Sequence, residues 1–359
     1  MSFMSAKITE TANYFNNVVS CLGKGQTQLE RRPFLKPRAG ELLLRLRVVG
    51  LCGTDLFKLT TDSEPKGSVL GHEVVGNVIA LGEGVTAFKL GDRVVVPHHV
   101  PCGGCIYCQR GNETMCRTFR KNLMKPGGFS DTILIEAPAV AMGSYRLDDQ
   151  ITDEVAVFME PAACVLRGIR RAGITSNGVA VVQGAGSMGL LHLLVLKAAL
   201  PRVQVVMIDT DMRRLRFATK LGAAGAAVPG KEAEDILGTF SDGADAVFDT
   251  VGGAEPLNSA LSLTRHGGTV VLFAHATGNE VASFDLNTLF KYERRVIGTY
   301  SGALKEQSEI FELIRSGRLD PTPLVTHSMP LNDFEHGVDL ARTRLALKVL
   351  FTPSEKNTV

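Results

Sequence analysis

The sequence has no excess of either charge. Its 39 basic and 37 acidic residues leave a net charge of +2, too balanced for a chain that works mainly by gripping nucleic acid or a membrane surface. It also lacks a long apolar run. The greasiest stretch, Gly189 to Leu200, carries His192 and Lys197 and ends at Pro201, too short and too polar to span a bilayer. The N-terminus, MSFMSAKITETANYF, has no apolar core of signal-peptide length. Internal repeats and low-complexity segments are absent. These gaps predict a soluble protein of a reducing cytoplasm, with no nucleic-acid or membrane partner. What remains is an ordinary globular balance, 45% hydrophobic and 21% charged, which argues against disorder. A length of 359 residues suggests about two domains.

An even cysteine count is missing too. The seven cysteines cannot all pair, and they are unevenly spread. Cys21, Cys52 and Cys164 stand alone, whereas Cys102, Cys105, Cys108 and Cys116 fall within fifteen residues. Such a quartet in a large chain reads as metal binding rather than a disulfide framework. Four thiolates close a tetrahedral shell and leave no open position, so a zinc there is structural. An iron–sulfur cluster also takes four cysteines, but the spacing matches neither common ferredoxin pattern. A nucleic-acid zinc knuckle is the other rival, since Arg110, Arg117, Arg120, Lys121 and Lys125 face one Glu113; the near-neutral chain weighs against it.

Residues up to about 150 read as strands and turns. ELLLRLRVVGLC leads into a glycine turn, VLGHEVVGNVIALG and DRVVVP are β-branched runs, and Gly91 to Arg93 is a hairpin turn. Beyond Leu166 the rhythm changes. Val179 to Gln183, Val203 to Asp209, Asp245 to Val251 and Gly267 to Ala274 are short apolar strands. Helical stretches lie between them: Met188 to Ala199, Met212 to Leu221 and Pro256 to Thr264. Strands buried on both faces and alternating with helices predict a parallel α/β sheet. A helix from Lys305 to Ser316, a Pro-rich link and a short helix-strand ending follow, with a solvated tail at PSEKNTV.

Between the first two of these strands and helices stands Gly184-Ala185-Gly186-Ser187-Met188-Gly189. Here Gly184 permits the tight turn, Gly186 lets backbone approach a pyrophosphate, and Gly189 allows close helix–strand packing; the helix N-terminus adds free N–H groups. Asp209, twenty residues after Gly189, can accept both ribose hydroxyls and repel a 2′-phosphate, which favours NAD over NADP. Arg213 and Arg214 could neutralise such a phosphate, so NADP stays open.

A second metal site is assembled from distant residues. Cys52, His72 and Glu73, and Glu160 at Glu160-Pro161 supply sulfur, nitrogen and oxygen donors. Three protein ligands plus a water is how catalytic zinc is held, and the open position suits an alcohol oxygen about to lose hydride.

With Cys52-Gly53-Thr54-Asp55, the run GHExxGxxxxxGxxV from Gly71 to Val85, the cysteine lobe, GDRV at Gly91, Glu160-Pro161, the coenzyme glycines and Leu221-Gly222-Ala223, nearly the whole chain resembles the zinc-containing alcohol dehydrogenases of the medium-chain dehydrogenase/reductase superfamily. In detail it is closest to their sorbitol and threonine dehydrogenase branch. The resemblance implies an α/β fold: a GroES-like β-rich catalytic domain from residues 1–159 and 300–359, and a Rossmann domain from 160–299. It implies one catalytic and one structural zinc, NAD, an alcohol or ketone substrate, and a homodimer or homotetramer. Cys52 and His72 become firm ligands, with Glu73 and Glu160 sharing the third position. Glu73 would point away if His72 and Glu73 lay on one regular strand, which keeps Glu160 in play. Thr54 matches the hydroxyl that takes the substrate proton. The family often ends this relay with a histidine three residues on; this chain has Phe57, so water or another base completes it. His99 matches a histidine that threonine dehydrogenases place near substrate, and equally fits the lobe surface. Asp55 holds the turn, while Cys21 and Cys164 pack. Coenzyme contacts carried over from the family are Arg214 and Val251 on the adenosine side, and Phe273, His275 and Ser301 near nicotinamide.

The implied activity is a zinc-dependent dehydrogenase of a secondary alcohol: a polyol, sugar derivative or hydroxy amino acid. Its alternatives are an NADP-linked ketone or aldehyde reductase, a non-redox zinc hydrolase, and a binding protein that has lost its chemistry.

Overall fold

Val179–Gln183, Gln204–Ile208 and Ala244–Asp249 are short strands of mostly apolar side chains, and a strand buried on both faces needs helices on both sides. The computed structural model, which describes residues 15–276 and 278–354, provides that arrangement. Among the described residues, six parallel strands run in the order Gly225–Ala227, Gln204–Ile208, Val179–Gln183, Ala244–Asp249, Thr264–Leu272, Arg295–Gly298. In sequence rank this is 3-2-1-4-5-6, the doubly wound order. The chain reverses direction across the sheet between Val179–Gln183 and Ala244–Asp249. A crevice at the carboxyl ends of those two strands is where such sheets take ligands. The intervening helices Ser187–Ala199, Met212–Lys220 and Ala254–Leu263 begin and end close to the sequence expectation.

The second sheet is mostly antiparallel. Its eight strands include Leu42–Gly50, Glu73–Leu81 and Arg93–Val96 from the first part of the chain, and Val325–Pro330 and Lys348–Thr352 from the last. Lys348–Thr352 pairs beside Leu42–Gly50, with Leu350 opposite Gly50. The C-terminal strand therefore lies against the segment that leads into Cys52. Met159–Ala172, a 14-residue helix, packs between the sheets and against Leu304–Arg315.

Two local features differ from the sequence reading. The CGTD segment is not a turn but the start of a helix, Gly53–Thr61; Cys52 is its N-cap, and the Asp55 carboxylate caps back onto the Cys52 N–H at 3.1 Å. This reciprocal cap makes a helix begin where glycine alone suggests only a turn. The tail does not start freely at Pro353, because Ser354 bonds Asp131 through its N–H at 2.7 Å. Residues 1–14 and 355–359 of the predicted leaderless N-terminus and solvated tail lie outside the described residues. No described helix is long and apolar enough to cross a membrane.

Candidate functional site

Cys52 sits at the foot of helix Gly53–Thr61, while His72 and Glu73 arrive from the next strand. The strand begins only at Glu73, preceded by Gly71 at φ +87°. His72 is therefore outside the pleat, and the strict alternation that would send its neighbour to the opposite face does not apply. One ligand atom each from Cys52, His72 and Glu73 lies within 4.8 Å of the others. Sulfur, imidazole nitrogen and carboxylate are a fitting donor set for zinc. Glu73 also offers an oxygen without a partner: Oε1 is buried and unpaired, while Oε2 is held by Lys348 Nζ. A side chain at Gly50 would collide with that carboxylate, so a glycine is needed there.

Asp55 does more than hold a turn. Buried at 1% exposure, it accepts from the Gly71 N–H at 3.2 Å and stands 3.5 Å from His72 Nδ1. A carboxylate on one ring nitrogen fixes the tautomer and presents the other to a metal. Burial works against a charged His72, but the Asp55 carboxylate and the Cys52 sulfur overcome it and hold the imidazole well above its ordinary range.

Glu160 opens the buried first turn of Met159–Ala172. It is outside the three-residue group but faces it, since His72 and Glu73 both act on its charge. Burial pushes its carboxyl up, with His72 drawing it down and Glu73 adding to the rise. Cys164 is not mere packing: its thiol donates to Glu160 Oε1 at 3.3 Å, with the Ser301 hydroxyl beside it. Cys21 is buried and free, as a packing cysteine would be. Thr54 is half-buried in the first turn of its helix.

Sequence reasoning missed two contributors. His98 lies between His72, at 4.7 Å, and His99, at 3.8 Å, with its ring tilted to both; His99 in turn meets Phe119 of the cysteine lobe at 5.2 Å. Both histidines have a buried Nδ1 without a partner, so His99 is not simply a surface residue. Lys348 is the other, and its one signal is a lysine inside the apolar run ALKVLF.

The four lobe cysteines lie within 4.8 Å of one another. Cys116 accepts the Cys102 N–H at 3.4 Å and is close to Thr118 Oγ1 at 3.2 Å; despite burial, these donors draw its thiol down to about 5. A tetrahedral metal fits these thiols.

At the crevice, the backbone runs through Gly184 and Gly186 into helix Ser187–Ala199. A Cβ on Gly189 would collide with the Gly184 carbonyl, the close helix–strand approach expected of it. Asp209 Oδ2 accepts the Ala185 N–H at 2.6 Å, and Oδ1 the Asp211 N–H at 2.8 Å. A carboxylate has about four acceptor sites, so lone pairs remain for a ribose diol. Arg213 is turned onto Asp211 at 2.8 Å, whereas Arg214 bonds the Arg344 carbonyl at 3.1 Å. Met188, in the first turn of the helix, takes the His192 ring on its carbonyl at 2.7 Å. Val251 is exposed at the end of the neighbouring strand; Phe273 packs edge-on to His192 at 4.5 Å. His275 stacks on Phe57 at 4.6 Å.

A profile described as "Alcohol dehydrogenase GroES-like domain" matches residues 38–143, and one described as "Zinc-binding dehydrogenase" matches 187–316. L-threonine 3-dehydrogenase of Vibrio parahaemolyticus is 29% identical over 327 residues, covering 88% of this chain and 93% of the relative. Among solved structures, the alcohol dehydrogenase of Thermus sp. ATN1 superposes with a TM-score of 0.82 at 27% identity, covering 94% of this chain and 99% of the other. A zinc-binding dehydrogenase from Sinorhizobium meliloti, bound to NADP, shares the fold with a TM-score of 0.85 at 24% identity, covering 95% of this chain and all of the other.

Proposed function

The chain belongs to the zinc-containing alcohol dehydrogenase family and is a zinc- and NAD(P)-dependent oxidoreductase of CH–OH donors, and from that premise we propose that it oxidises a secondary alcohol (a polyol, sugar derivative or hydroxy amino acid) with NAD. The observation that supports this best is the meeting of Cys52, His72 and Glu73 at the foot of the helix that carries Thr54. The threonine dehydrogenase relative favours a hydroxy amino acid among the three classes.

Zinc held there would supply Lewis acidity toward the alcohol oxygen, and a bound nicotinamide would supply the hydride acceptor. Cys52 and His72 would hold the ion, with Glu73 and Glu160 sharing the third position and the fourth left for the substrate oxygen. Asp55 keeps the His72 ring in its metal-facing tautomer. Thr54 takes the alcohol proton. Gly184, Gly186, Ser187, Met188 and Gly189 seat the pyrophosphate, and Asp209 the adenosine ribose. Arg214 and Val251 flank the adenosine, with Phe273, His275 and Ser301 at the nicotinamide end. Cys102, Cys105, Cys108 and Cys116 would hold the structural zinc. The domain division is 1–159 with 300–359, and 160–299; the two sheets, one drawing strands from both parts of the chain, support it.

We also infer a soluble cytoplasmic homo-oligomer without nucleic-acid or membrane partners. The edge strand Arg295–Gly298 lies close in sequence to Val281, Leu286 and Phe290, exposed at 84%, 75% and 82%. Apolar groups this open, close in sequence to an edge strand, favour cover by a second copy.

The test is coenzyme reduction by the purified, zinc-loaded enzyme across a panel of secondary alcohols. Zinc-dependent NADH formation with at least one of the three classes is expected. Ester cleavage without NADH, or NADP outperforming NAD by a wide margin, would overturn the corresponding part of the reading.

A further inference from the structure

Oxidation of a secondary alcohol removes a hydride and also a proton: the alcohol and oxidised NAD give a ketone, NADH and one free proton. That proton has to reach solvent at every turnover. A threonine hydroxyl can take a proton only while giving up its own, so a titratable group must stand beyond Thr54. Thr54 and Phe57 are three residues apart on helix Gly53–Thr61, a spacing that puts them on one face. Phe57 carries no proton, but its ring lies flat against His275, with centroids 4.6 Å apart and planes 10° apart. His275 comes from the other sheet, just beyond strand Thr264–Leu272, and is exposed.

We propose that His275 is the base that receives the substrate proton by way of Thr54 and passes it to solvent. It rests on the alcohol-oxidation reading above. Among the described residues, the other titratable groups near this helix are either committed elsewhere or sealed from solvent. Cys52, His72, Glu73 and Glu160 form the donor set. Asp55 is buried against Cys52, Gly71 and His72. His98 and His99 have their Nδ1 atoms sealed from solvent. On the helix itself, Lys58 is paired with Glu64 at 2.9 Å. On the loop that follows His275, Glu280 accepts the Ala254 N–H at 2.7 Å. The step balances without a further reagent. The alcohol O–H proton moves to Thr54 Oγ as the Thr54 hydroxyl proton passes through water to a neutral His275 nitrogen. The imidazolium then releases it to bulk water, and the enzyme returns to its starting state.

The experiment uses the zinc-loaded enzyme with its best alcohol from the panel. In His275→Gln, kcat for oxidation near neutral pH falls roughly 10- to 100-fold, at or below the low end of what a general base contributes. The acid limb of the kcat profile disappears, and the rate becomes proportional to buffer base. Phe57→His in that background restores the limb. A reading besides turnover is the proton count on NAD binding, from calorimetry in two buffers of different ionisation enthalpy: a cationic ring drives a proton off a nearby imidazolium, so H275Q releases fewer. A limb that survives in H275Q, or a lost rate that buffer base does not restore, overturns the proposal. A wild-type enzyme that reduces no coenzyme with any alcohol would instead sink the activity it rests on.

Discussion

Glu73 is the residue on which the candidate metal centre turns. It is 1% exposed, its Oε2 is held by a lysine that is itself 3% exposed, and its Oε1 has no partner. A buried pair of this kind is expensive to break, because the survivor stays charged out of water. Lys348→Met is therefore expected to destabilise the metal-free protein by about 3–5 kcal/mol, measured by urea unfolding, and Glu73→Gln in the same chain to recover most of it. Zinc offers the orphaned carboxylate a second cation, so the loss shrinks in the zinc-loaded protein if Glu73 is the resting ligand. An equal loss with and without zinc assigns that position to Glu160. Asp55 gives a second, independent handle. Asp55→Asn keeps the shape but removes the charge facing His72 Nδ1, and zinc affinity should drop roughly 10- to 100-fold. Competition against a chromogenic chelator checks it; an unchanged affinity would mean that His72 is oriented by something else.

Helix Ser187–Ala199 carries a different tension. It must bury both faces beneath the coenzyme glycines, and His192 lies fully buried between Phe248 and Phe273. Its Nδ1 bonds the Met188 carbonyl, but Nε2 has no partner, and burial pushes the imidazole down to about 4. In the unfolded chain a histidine titrates near 6.5. Above that pH both states are neutral and the residue gives no pH dependence. Between about 6.5 and 4 only the unfolded chain takes the proton, so stability is lost as pH falls, by roughly 1.4 kcal/mol per pH unit. His192→Leu should melt higher at neutral pH and flatten the slope between pH 6.5 and 4; parallel slopes for the two proteins would contradict this. The histidine is also a measure of what periodicity can show. The apolar strands and helices of the parallel sheet were legible because burial on both faces leaves a nearly continuous apolar run. His192 was visible only as a polar interruption of such a run. The helix at Gly53 was missed because its start depends on the Asp55 cap rather than on a periodic pattern. Glycine spacing marked the coenzyme loop, and cysteine spacing the lobe. Nothing local in the sequence could pair Lys348 with Glu73 or His275 with Phe57, since both contacts join segments that only the tertiary fold brings together.

At the scale of the molecule, the cysteine lobe is tied to the helix that bears Glu160. Arg167, buried on that helix, donates to the Gly111 carbonyl at 3.2 Å and reaches Glu113 at 3.4 Å; both lie between the third and fourth lobe cysteines. The same guanidinium reaches Glu306 at 3.5 Å, and Glu306 caps helix Leu304–Arg315 by accepting the Ala303 N–H at 3.0 Å. The lobe, the central helix and the chain's return to the antiparallel sheet thus meet at one buried cation. A metal in the lobe would fix the 111–113 backbone against Arg167; without it, that backbone is free to move and the arginine keeps only part of its compensation. Replacing Cys102 and Cys108 by serine should therefore do more than remove one of the two zinc sites. It should lower the melting temperature of the whole chain and weaken zinc retention at the other site, read as metal content after dialysis. Arg167→Met separates coupling from simple damage. If the lobe acts through this arginine, the losses from the cysteine and arginine changes combine to well short of their sum, because each breaks the same clamp. If the two losses add, the lobe stabilises only itself.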